Sequence, residues 1–128
     1  SEENLYLKQR ERVLADYVVD NDRLVKELRE RCRILKDREW ETLEQMCEST
    51  YSKFVSRLQS VCPTLTKQEL HLCMLIKLRF NNAQMSEIFG VNTTSVSQKK
   101  FRLKKHLSDT LQDGLPDEMT LDRWVAEF

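Results

Sequence analysis

Residues Leu65–Leu107 read LTKQELHLCMLIKLRFNNAQMSEIFGVNTTSVSQKKFRLKKHL. Two capping signals divide this stretch into three helix patterns. Thr66 and Glu69 form a capping box, in which the hydroxyl takes a free N–H of the first turn and the carboxylate reaches back to the cap. Leu70, Leu72, Cys73, Leu75, Ile76 and Leu78 follow, apolar around most of the circumference, so this helix is expected to be central and buried. Asn81 and Gln84 make a second box, followed by Met85, Ile88 and Phe89 at helical spacing. Gly90 ends that short helix, because glycine takes the left-handed conformation at little cost. Asn92 caps a third helix running to at least Leu107. Two helices joined through Gly-Val-Asn, the second one basic, is the pattern of a helix-turn-helix.

The spacing gives the third helix two faces. Val96, Leu103 and Leu107 share an inward stripe, on which Lys100 has to extend its head group outward. Thr94, Ser97, Gln98, Phe101 and Lys105 share the opposite stripe. A recognition helix lays its first turns against base edges in the major groove. Thr94, Ser97, Gln98 and Phe101 are therefore the expected base contacts, and Gln98 can pair bidentately with adenine. Lys99, Arg102, Lys104 and Lys105 are the expected phosphate contacts, which set affinity and salt dependence but not sequence.

These residues resemble the DNA-binding domain of LuxR/GerE-type transcription regulators. The matching positions are Leu65-Thr66, Glu69, Gln84-Met85-Ser86, Gly90-Val91-Asn92 and Ser95-Val96. The variant at the C-terminus of Bacteroidetes sensor-regulators, preceded by tetratricopeptide repeats and a helical linker, is the more similar one. It favours a Leu-Cys in the first helix, here Leu72-Cys73, and a basic ending, here Arg102–Leu107. Trp40, Phe54 and Phe128 fit it too. Gln84 and Ser86 stand where the family has Glu and Ala; both belong to the scaffold helix and bear on packing. The resemblance covers about residues 40–128. It implies a double-stranded DNA partner, an upstream sensor domain and, in many such chains, a membrane helix upstream.

Outward from this centre, residues 4–37 hold no Gly and no Pro and read as one long helix. In heptads, Leu14, Asn21, Leu28 and Leu35 fall at a, and Tyr17 and Leu24 at d. Leu14, Tyr17, Asn21, Leu24, Leu28 and Leu35 are thus a candidate dimerising seam. The alternative is a helix packed on its own chain. Asp37 is placed to cap the next helix, with Trp40, Leu43, Met46, Cys47, Tyr51, Phe54, Leu58 and Val61 on its apolar side, ended by Pro63. After Leu107 come Asp109, Asp113, Asp117, Glu118 and Asp122, and Thr120 caps a last helix with Leu121, Trp124, Val125 and Phe128 on one face. The acidic segment is read as a connector, or as a competitor of DNA for the basic helix.

Charge separates the same regions. The chain is formally neutral, but residues 63–107 hold eight basic and two acidic side chains, and residues 108–128 hold one basic and six acidic. Basic charge gathered on one segment is the footprint of a polyanion partner. Cys32, Cys47, Cys62 and Cys73 form no CxxC and no Cys/His ligand pair, and are read as buried residues of a reducing cytosol. His71 and His106 are single and read as surface or capping residues. No nucleophile–base pair, paired carboxylates or glycine-rich phosphate loop is visible, so neither catalysis, nor a cofactor, nor a small-molecule substrate is expected. No run reaches the roughly 18 apolar residues of a membrane span.

The expectation is an all-α protein in four parts: a helical linker and coiled-coil candidate (1–37), a connecting core helix (38–62), the helix-turn-helix (63–107) and an acidic loop with a C-terminal helix (108–128). It would be the cytoplasmic output domain of a DNA-binding transcription regulator, acting as a homodimer under an upstream sensor, with 93–107 in the major groove. The rivals are a domain like sigma-factor region 4 and a helix-turn-helix protein-interaction module without DNA binding.

Overall fold

The computed structural model describes residues 1–128 as eight helices and no strand. They are α1 (Glu2–Asp20), α2 (Arg23–Glu30), α3 (Asp37–Thr50), α4 (Phe54–Val61), α5 (Lys67–Lys77), α6 (Asn82–Phe89), α7 (Thr93–Thr110) and α8 (Leu121–Glu127). α5 is the axis. Every residue from Leu70 to Lys77 is buried, as its all-round apolar pattern requires, and α3, α7 and α8 pack on it.

The caps form where the sequence places them. The Thr66 hydroxyl accepts the Glu69 N–H, and the Glu69 carboxylate accepts the Thr66 N–H. Asn81 and Gln84 repeat the exchange for α6. Asn92 Oδ1 accepts the Ser95 N–H, and the Thr120 hydroxyl the Arg123 N–H. Gly90 closes α6 at φ 69°. A Cβ there would also lie 2.8 Å from Ile34 Cδ1, because the chain before α3 crosses this turn. Gly90→Ala should therefore cost about 1–2 kcal/mol, mostly from the left-handed backbone since the Ile34 tip can yield. Urea unfolding measures this, and a loss near zero would mean the turn is not held at that angle.

The single long N-terminal helix is corrected. It breaks at Asn21-Asp22: Asn21 ends α1 with its amide on the Tyr17 carbonyl, and Asp22 caps α2 by accepting the Val25 N–H. Residues 31–36 then form no helix. The heptad seam is split accordingly. Leu28 and Leu35 are buried in this chain's own core, and Leu24 packs against it. Leu14, Tyr17 and Asn21 stay exposed. The short linker is pinned by Arg33, which forks onto Glu39 at 2.8 and 2.6 Å. That pairing, with the Lys36 N–H, holds the Glu39 carboxyl down at about 2.

The helix expected over 38–62 is also two. Ser52 and Lys53 both take positive φ, which turns α4 back against α3. Glu48 secures the corner by accepting the N–H and the hydroxyl of Ser56. Lys36 rather than Asp37 occupies the cap of α3.

Candidate nucleic-acid interface

α6 and α7 pack on each other across the Gly90 turn, with α7 also set on α5. Val96, Leu103 and Leu107 are fully buried and fix the rotation of α7 about its axis. The opposite side is therefore turned to solvent. Thr94, Ser97, Gln98 and Phe101 are all exposed, and together with Arg102 they surround one open hollow of about 480 Å³. Phe101 is 73% exposed, a large apolar ring that covers no neighbouring helix.

The basic residues flank this face. Lys99 and Arg102 line a second hollow of about 210 Å³, whose other wall is the first turn of α5 with Thr66, Gln68 and Glu69. Lys99 Nζ reaches Gln68 Oε1 at 3.5 Å. Lys105 is exposed and Lys104 half-buried. At about 100° per residue, Lys105 falls within the stripe of Thr94, Ser97, Gln98 and Phe101, and Lys104 on the flank away from α5. No carboxylate pairs with any of the four. Lys100 differs: its ammonium lies 3.0 Å from Asp122, so the acidic segment takes up one lysine beside the exposed face of α7. The rest of that segment packs elsewhere, with Leu115, Leu121 and Val125 in the core and α8 against α5.

His106 was read as a surface or capping residue, and it is a joint. Its Nδ1 lies 2.9 Å from Glu69 Oε2, and its Nε2 lies 2.7 Å from the Thr64 hydroxyl. Burial pushes the Glu69 carboxyl up, but the Thr66 N–H and the His106 ring outweigh it and hold it below the usual range. One carboxylate thus caps α5 and ties α7 to it. His71 is not at the surface. It is buried and stacked on Trp40 at 4.0 Å, and burial, reinforced by Lys67, lowers its pKa and favours the neutral ring. The sequence reading also missed Gln68. Its place at the start of a capped helix was visible, but the approach of that turn to Lys99 and Arg102 depends on how α5 crosses α7.

All four cysteines are free thiols, and three are buried; burial pushes Cys47 up to about 12. No helix is long and apolar enough to cross a membrane. No family model, curated protein or solved structure matches this chain.

Proposed function

We propose that this chain is the DNA-binding output domain of a transcription regulator, of the LuxR/GerE type that its motifs resemble. The observation that carries the reading is the surface of α7. Four residues able to meet base edges share one exposed face, and four cations without carboxylate partners lie on and around it. A solvated helix has no need to expose Phe101, whereas a thymine methyl gives that ring a partner. Gln98 reads adenine, Thr94 and Ser97 reach bases or phosphates, and Lys99, Arg102, Lys104 and Lys105 neutralise the backbone. Anisotropy of a labelled mixed-sequence duplex, titrated at two salt concentrations, tests this. Weak binding that falls steeply with salt supports it. No binding at low salt by the folded chain would make it a protein-interaction module.

A single helix-turn-helix buries little DNA, so specificity calls for two half-sites and two copies. α1 offers the contact. Tyr6, Leu7, Val13, Leu14, Tyr17 and Val18 are all exposed, on the side turned away from buried Val19. Leu7, Leu14 and Asn21 keep the seven-residue spacing of a seam that recognises its own copy, with Tyr17 at d. A contiguous run of exposed apolar side chains along one helix face suits an interface with a second copy. Two copies of α1 pair here, and an upstream sensor in a longer cytoplasmic chain would act through them. Sedimentation without DNA should show a dimer, and Leu14→Asp with Tyr17→Asp should yield a folded monomer. A monomeric parent chain at all concentrations would remove this part of the reading.

A further inference from the structure

On another side of the molecule, α1, the α3–α4 corner, the end of α5 and the end of α8 line an open cavity of about 320 Å³. Four cations line it: Lys8 and Arg12 one turn apart on α1, Arg57 from α4 and Lys77 from α5. None of them is in an ion pair. Arg57 gives its N–H groups to the carbonyls of Ser52 and Tyr51 and to the main-chain oxygen of Phe128. Glu11 and Glu127 share the wall, but Glu127 is engaged by Arg123 at 3.1 Å.

Lys77 is the anomaly. It is only 7% exposed, yet its ammonium has one hydrogen bond, to the Ala126 carbonyl at 2.9 Å, and otherwise lies against the faces of Tyr51 and Phe54. Burying a charge without a counter-ion is costly, and an apolar side chain of the same length would fill the space without that cost. Burial lowers Lys77 to about 8, Arg12 and Arg57 push the same way, and Asp16 opposes them only in part. A buried lysine with one hydrogen bond, beside three further cations in one cleft, is a candidate anion site.

We propose that this cavity binds a small oxyanion, a phosphate or carboxylate group, held between Lys77 and the Arg12 and Arg57 guanidiniums. The ligand adds negative charge that Glu11, Glu127 and Asp16 supply only in part. It would tie α1 to α5 and α8 at a place separate from the face of α7, and so make a second, ligand-responsive site on the domain.

Calorimetry at physiological ionic strength, with pyrophosphate and citrate as separate probes, tests it on the full chain. One-to-one saturable binding of either is expected, and which probe binds names the head group. Arg12→Ala, on an exposed helix face, and Lys77→Met should each weaken it about tenfold or more, since each removes a charge-assisted contact. Lys26→Ala, outside the cavity, should not. Bound probe should also slow acetylation of Lys77, read by peptide mass. The variant Lys99→Ala, Arg102→Ala, Lys105→Ala should bind as the parent does, which separates this site from the DNA reading. Absence of saturable binding by both probes overturns the proposal. So does binding indifferent to Arg12 and Lys77, or binding lost with the α7 variant.

Discussion

Changing Lys99, Arg102 and Lys105 together to alanine should weaken binding to a mixed-sequence duplex by about a hundred- to a thousandfold at low salt. The three lie on exposed or half-buried turns of α7, and none is tied to a carboxylate. Each phosphate contact releases counterions, so the slope of log affinity against log salt should also fall by about 2 to 3. The slope is the sharper measure, because a variant that merely frayed α7 would lose affinity without changing the charge count in that way. Gln98→Ala should behave differently. It should leave mixed-sequence binding almost unchanged and relax discrimination at one base position of a selected site. A triple variant that binds as tightly as the parent, with the same salt slope, would place the polyanion contact off α7.

Phe54→Ala should remove about 3–5 kcal/mol of stability and lower the melting temperature by roughly 10–20 °C. The ring is fully buried, meets Phe128 edge-on at 6.0 Å and forms part of the floor under Lys77. Its loss leaves a cavity between α4, α5 and α8 that rigid neighbours cannot collapse, and removes one of two aromatic faces from a buried ammonium. Thermal and urea unfolding followed by helical circular dichroism give the number. A loss below about 1 kcal/mol, small for a buried aromatic, would mean that α8 does not dock as described.

The helix-turn-helix was legible because its signals are local. Thr66/Glu69, Asn81/Gln84, Asn92 and Gly90 act within four residues of themselves, and each forms the bond or takes the backbone angle its neighbours imply. The inward stripe of α7 follows from spacing alone. The breaks elsewhere were harder. Asp22 is a good cap followed by an apolar pair, Val25 and Leu28, but a seven-residue pattern runs through it and competes with that reading. What decides is burial of Val25 and Leu28 against this chain's own core, a tertiary effect. Ser52 and Lys53 carry no glycine to announce their positive φ; the corner is held by Glu48 and Arg57 from outside it. Lys77 reads on paper as the polar end of a helix, and its burial under α8 depends on a segment 49 residues away. The stripe on α7 was visible, while the wall that α5 adds to it was not.

Asp20, near the end of α1, receives Arg29 at 3.0 Å and Arg79 at 2.7 Å; Arg29 also reaches the Leu78 carbonyl. Those contacts fasten α1 to the turn that leads into the scaffold helix α6. Asp16, one turn earlier, accepts the Tyr51 hydroxyl at 2.6 Å and pairs with Arg79 at 3.4 Å, so α1 is fixed in rotation against α3 and against the turn after α5. One residue inserted between Tyr17 and Val18 would set Asp16 and Asp20 about 100° out of their present phase, so both anchors could not form at once. If two copies pair through α1, as proposed, their relative orientation is set by these anchors, away from the exposed face of α7.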